Sequence, residues 1–190
     1  MNGIEDIREY HMYLISAYFD NMAAFRIRQY MNQVAKRTGN TFLLDNDVVP
    51  HITISAFQTK QENHVIKLLE QRAGNLGKGT IQWVSPGVFF PHVIYLGLVL
   101  NEYLHTLSMN IYECLTEIED ITISPCYQPF SWLPHTTIGK MLTKEEMHEA
   151  FRVLQNQFGP FSGQITQIGL AKTNPYENLA VFELPALKNI

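Results

Sequence analysis

Cysteine is scarce in this chain: Cys114 and Cys126 are two residues in 190. So few exclude a disulfide-built scaffold, and their separation excludes a CxxC pair, so both read as reduced thiols. Basic charge is short as well. Fourteen Lys and Arg stand against 18 Asp and Glu, a net charge of −4, whereas a protein that grips a long duplex needs a broad cationic footprint. This balance favours a nucleotide-sized ligand or an RNA end as partner, with no long duplex nucleic acid. No run of about 18 apolar residues is present to cross a membrane, and the opening MNGIEDIREYH has no signal-peptide pattern. A cytoplasmic protein without a membrane partner is expected. HExxH and short-spaced sets of Cys and His are missing too, so the motifs predict neither a metal nor another cofactor.

What the chain does contain is the same short phrase twice. Pro50-His51-Ile52-Thr53-Ile54 returns 84 positions later as Pro134-His135-Thr136-Thr137-Ile138. Sliding residues 50–81 onto 134–165 gives eleven identities over 32 positions without a gap, among them Thr59/Thr143, Glu62/Glu146, His64/His148, Gly79/Gly163 and Ile81/Ile165. Two copies of so long a unit do not make a solenoid, which needs at least three. The expectation is one domain over 1–190 with two similar lobes, about 1–90 and 91–190, with strand exchange between them allowed.

The order of elements repeats along with the motif. Residues 12–19 read as a strand, and Ala24, Ile27, Met31 and Val34 recur at helical spacing until Gly39. The first motif lies on a strand at 49–57; Thr59-x-x-Glu62 then predicts a capping box opening a helix, and a strand follows at 80–85. In the second half the strand is at 92–100, the helix at 102–119 and the motif strand at 133–141. Thr143-x-x-Glu146 predicts a second capping box, and strands at 163–172 and 179–184 flank a turn at 173–176. The fold class expected is α+β with pseudo-twofold symmetry, two antiparallel-type sheets facing each other and helices outside.

Alternate residues of a strand share a face, so each motif presents an imidazole beside a hydroxyl: His51 with Thr53, His135 with Thr137. Histidine exchanges protons near neutrality, and two of them can work as a base–acid couple across one reacting centre. The threonine hydroxyls can donate to phosphate oxygens. Thr136 and Ile52 face the other way and read as packing. The constellation fits metal-independent phosphoryl transfer.

With these residues the chain resembles the 2H phosphoesterase superfamily, in its 2′-5′ RNA ligase and RNA 2′,3′-cyclic phosphodiesterase branch, which is defined by two H-x-[ST]-x motifs on two lobes. His51-Ile52-Thr53-Ile54 and His135-Thr136-Thr137-Ile138 match both, and Tyr95-Leu96-Gly97-Leu98 is similar to the strand opening the second lobe. The resemblance implies that His51 and His135 alternate as general base and acid on a 2′,3′-cyclic phosphate of a nucleotide or RNA 3′ end, with Thr53 and Thr137 holding the phosphate. RNA 2′-5′ ligation and a non-catalytic phosphate-binding module on the same fold are the alternatives. Where many relatives carry Arg after the second motif this chain has Lys140, which keeps the charge without the bidentate fork and is assigned to phosphate. Tyr127, Phe130 and Trp132 precede the second motif and are candidates to stack a base. His64 and His148 read as solvated helix residues, and Thr59, Glu62, Thr143 and Glu146 as caps.

Overall fold

The computed structural model describes residues 11–173 and 176–186, so Asn174 and Pro175 of the expected turn lie outside the described residues. The chain opens with strand β1 (His11–Phe19), and Asp20 caps helix α1 (Asn21–Thr38) by accepting from the Met22 and Ala23 amides. The apolar stripe of α1 is buried, and Gly39, at φ 79°, ends the helix with its amide on the Ala35 carbonyl. A short helix α2 (Phe42–Asp45) precedes the first motif strand β2 (His51–Thr59), which leads to α3 (Glu62–Ala73) and β3 (Gly79–Phe89). The second series is β4 (Val93–Leu98), α4 (Glu102–Thr116), the two-residue β5 (Thr122–Ile123), a 3₁₀ turn Pro125–Tyr127, motif strand β6 (His135–Gly139), α5 (Lys144–Gln157), β7 (Phe161–Lys172) and β8 (Glu177–Glu183).

Among the described residues all strand pairings are antiparallel, in the order β5-β2-β1-β7-β3-β4-β6 with β8 also on β7. The two expected sheets are therefore joined, through one central pair. Residues 161–165 of β7 pair with β3, and residues 165–172 pair with β1 and, on the other side, largely with β8. A flat sheet would hold β2 and β6 about 24 Å apart, five strand spacings. They nevertheless come together, so the sheet bends around and sets its two motif strands at one cleft. Helices α3 and α4 cover the half containing β2, and α1 and α5 cover the half containing β6.

The pseudo-twofold shows in the hydrogen bonds. Gly79 pairs with Ile165 and Ile81 with Gly163, centred on Thr80–Gln164; Thr80 and Gln164 are themselves one repeat apart. The cap of α1 reaches this centre from one side, Asp20 accepting from the Gln164 amide at 2.5 Å, and the cap of α4 from the other, Asn101 Nδ2 donating to the Thr80 carbonyl at 2.9 Å. The repeated glycines let those helix ends come close. A Cβ at Gly79 would lie 2.2 Å from the Tyr103 ring, and one at Gly163 would lie 2.5 Å from Ala23 Cβ.

Two details depart from the sequence reading. The strand expected at 80–85 runs on through Pro86-Gly87 to Phe89; among the described residues it pairs beyond Trp83 only with β4, and an edge tolerates a residue without an N–H. The first capping box does not form. Thr59 is fully buried and donates to Asp120 Oδ1 at 2.6 Å, while Glu62 accepts from the Tyr13 hydroxyl. A long-range carboxylate has displaced the local cap. The second box, Thr143 with Glu146, is present in both directions.

Candidate active site

Both motif strands follow the alternation. His51, Thr53, His135 and Thr137 are half-buried, whereas Ile52, Ile54, Thr136 and Ile138 are buried. Thr136 takes the Trp83 indole N–H at 3.1 Å within the core. Immediately after each His-x-Thr the strand carries a β-bulge. The β1–β2 register steps from Ser55 to Thr53 and the β4–β6 register from Gly139 to Thr137, so Ile54 and Ile138 are the extra residues in both copies. Such bulges bend a strand and re-aim its side chains. Here buried isoleucines anchor them, and each His–Thr pair is left facing the cleft.

Each imidazole is held the same way. His51 Nδ1 lies 2.7 Å from the Val49 carbonyl and His135 Nδ1 lies 2.9 Å from the Leu133 carbonyl. A carbonyl only accepts, so in the neutral ring Nδ1 carries the proton and Nε2 has the free lone pair. Burial lowers both pKa values below the ordinary imidazole value, and the carbonyl contacts oppose this. His51 also feels the charges of His135 and Lys140, which lower it further. The charge of His135 thus reaches His51 across the cleft.

The remaining assigned residues take distinct places. Lys140 is exposed just past β6, its Nζ 5.9 Å from the Phe42 ring centre. Trp132 is 9% exposed and belongs to the core; its indole N–H donates to the Thr53 carbonyl at 3.0 Å, closing the free edge of β2. The turn that carries Tyr127 packs against β2, and burial pushes the Tyr127 phenol pKa up. Phe130 is 90% exposed, with φ 63° and its ring 5.6 Å from that of His105. Among the described residues no three His, Cys, Asp or Glu side chains are grouped to hold a metal ion, and no helix is long and apolar enough to cross a membrane.

The sequence reading missed the aromatic residues around the histidines. Tyr18 stands opposite His51 across β1–β2, ring centres 6.3 Å apart. Phe89 and Tyr95 stack at 4.4 Å, and the His135 ring meets both edge-on, at 4.8 and 5.2 Å. The signal available was the i, i+2 pair Tyr95 and Gly97; the register that gives it meaning depends on a bulge.

Residues 22–177 match the family model of the 2′-5′ RNA ligase superfamily. The chain belongs to that superfamily. Comparison with curated protein sequences gives no match. Among solved structures it is similar to E. coli LigT complexed with 3′-AMP, with 16% identity, TM-score 0.60 and coverage of 93% of this chain and 99% of that one. The TT0787 protein of Thermus thermophilus is similar at 12% identity and TM-score 0.63, covering 92% and 98%. A structure described as a phosphoesterase aligns with 17% identity and TM-score 0.60, covering 93% and 99%. These likenesses show the 2H phosphoesterase fold across nearly the whole chain.

Proposed function

We propose that this protein opens 2′,3′-cyclic phosphates of a nucleotide or RNA terminus by metal-independent, two-histidine acid–base catalysis. The observation that carries the reading is the matched pair of imidazoles, each with Nδ1 tied to the carbonyl two residues back and Nε2 left for the reacting groups. One Nε2 takes a proton from water as its oxygen attacks phosphorus. The other gives a proton to the ribose oxygen as the P–O bond breaks, leaving a phosphomonoester. Thr53 and Thr137 donate to the non-bridging oxygens, and Lys140 adds positive charge at the rim. The superfamily and the crystallisation of E. coli LigT with 3′-AMP and with phosphate support a nucleoside phosphate ligand.

A base–acid couple needs one ring neutral and the other protonated, so kcat/KM falls on both sides of an optimum. Both imidazoles have lowered pKa values in the free protein, which places that optimum below about pH 6.5. The test is kcat/KM for a 2′,3′-cyclic nucleotide against pH, in the presence of a chelator. A bell centred on the acid side is expected; a flat profile from about pH 5 to 9 contradicts the couple.

A further inference from the structure

Along its free edge the first motif strand is fastened by one stretch of chain, residues 122–134. Thr122 and Ile123 pair with Gln58 and Phe57, and the Ser124 amide donates to the Ala56 carbonyl at 2.8 Å. The stretch then leaves the edge for a turn, Gln128–Ser131, closed by the Ser131 amide on the Gln128 carbonyl at 3.0 Å. It returns with Trp132, whose indole N–H reaches the Thr53 carbonyl at 3.0 Å. Two residues on, the Pro134 carbonyl accepts from the Leu98 amide of β4 at 3.2 Å. Between Trp132 and His135 the chain is thus bonded to β2, to β4 and, through the Leu133 carbonyl, to the His135 ring. Three residues span at most about 10 Å, so one short segment and one hydrogen bond join the two half-sites. The repeat has no counterpart to this link: one repeat before Trp132 stands Val48, which has no side-chain donor. The turn that delivers Trp132 is also built against preference. Pro129 and Phe130 occupy its centre, and Phe130 takes φ 63°. A positive φ after proline is the type II pattern, which favours glycine at that place. A bulky residue keeps such a backbone only where its surroundings fix it, and two residues on the buried Trp132 is pinned to Thr53.

We propose that Trp132 is a positioning residue, a strut that acts through the Thr53 carbonyl to set how the Thr53 hydroxyl meets a phosphate held from the other side by the second motif. The inference rests on the phosphate-holding role given above to the two threonines. The Thr53 carbonyl stands next to the bulge at Ile54, where the β1–β2 register skips a residue. A bulge re-aims the side chains around it, so a bond made at that carbonyl governs where the Thr53 side chain points. The ladder of β5 reaches only Phe57 and Gln58 of β2 and stops short of it. With the indole in place Thr53 is held from both edges, by its pairing with Ser16 of β1 and by Trp132. Without the indole N–H one hydroxyl drifts while the groups of the second motif keep their places. Misplacement of that kind costs binding and rate, because groups acting on one phosphate must meet it together.

Trp132→Phe keeps an aromatic ring in the core and removes the N–H. Calorimetric titration with adenosine 3′-monophosphate reads the grip on phosphate without requiring turnover, and kcat/KM for a 2′,3′-cyclic nucleotide reads it during turnover. In the wild-type background the variant is expected to lose about 3- to 10-fold in either measurement, the worth of one hydrogen bond, and no more than Thr53→Val loses. With Thr53 already changed to Val that loss disappears. With Thr137→Val it remains in full, because the bond reaches only the Thr53 side. A residue that merely packs the core gives the same factor in both backgrounds; that result, or no loss in the wild-type background, overturns the assignment. Should Trp132→Phe not fold, benzothienylalanine at position 132, which has the outline of the indole and no N–H, carries the same test. Nucleotide binding that follows the expected pattern with no hydrolysis of any cyclic phosphate leaves the strut standing and removes the phosphodiesterase reading. Wild type that neither binds the nucleotide nor opens a cyclic phosphate removes both.

Discussion

The two motif strands carry the same tetrapeptide pattern, bulge and Nδ1–carbonyl contact, yet a buried Tyr18 stands beside one histidine and a half-buried Gly97 beside the other. The shared features are those that aim an imidazole and a hydroxyl, which both halves of an acid–base couple need. The differences lie one strand away, at Tyr18 against Gly97 and Ser16 against Tyr95. Duplication supplies a symmetric reaction centre, but a substrate with different ends needs asymmetric surroundings. Here that asymmetry is confined to side chains that leave the central Thr80–Gln164 pairing untouched.

The comparison is broken most severely at the histidines. His51→Ala and His135→Ala are each expected to lower turnover by about 10²–10⁴, and the double variant by much less than the product, because the two act as a unit. Multiplicative losses would show that they do not share a transition state. Next come the threonines. Thr53→Val and Thr137→Val should each cost about 10- to 100-fold in kcat/KM, as for a lost bond to a charged group.

The two capping sequences give a third contrast, in stability. Thr143→Ala removes a helix cap and should cost about 1 kcal/mol in denaturant unfolding. Thr59→Val removes a buried hydroxyl bonded to the Asp120 carboxylate and should cost more, about 1.5–3 kcal/mol. Equal losses would mean that the Asp120 network adds nothing beyond a cap. The smallest effect belongs to Lys140, which is exposed. Lys140→Ala should raise KM by no more than about fivefold. Its charge lowers the His51 pKa, so its removal raises that pKa. The acid limb of kcat/KM then moves to higher pH if His51 is the base, and the alkaline limb moves if it is the acid.

The sequence was most informative where local periodicity decides structure. Alternation put His51 with Thr53 and His135 with Thr137 on half-buried faces and Ile52, Ile54, Thr136 and Ile138 inside, and the apolar stripe of α1 was legible at helical spacing. It was least informative where a partner distant in the chain decides. Thr59 and Thr143 look alike in sequence, but Asp120, 61 residues from Thr59, selects a different bond for the first. The contrast between Tyr18 and Gly97 was hidden for the same reason. Tyr18 and Gly97 become counterparts only after two bulges set the register, and periodicity within one strand carries no record of those bulges. Trp132 was read as a candidate stacking ring from its nearness to the motif; its contact with the Thr53 carbonyl depends on β2 and β6 meeting across the bent sheet.

The most direct test is hydrolysis of a 2′,3′-cyclic nucleotide by wild type and His135→Ala with EDTA present, resolving the 2′- and 3′-phosphate products. Chelator-resistant turnover to a single isomer, reduced by at least about 100-fold in the variant, is the predicted result. No turnover of the nucleotide or of a short RNA ending in a cyclic phosphate, or turnover that His135→Ala leaves intact, would contradict a two-histidine phosphodiesterase.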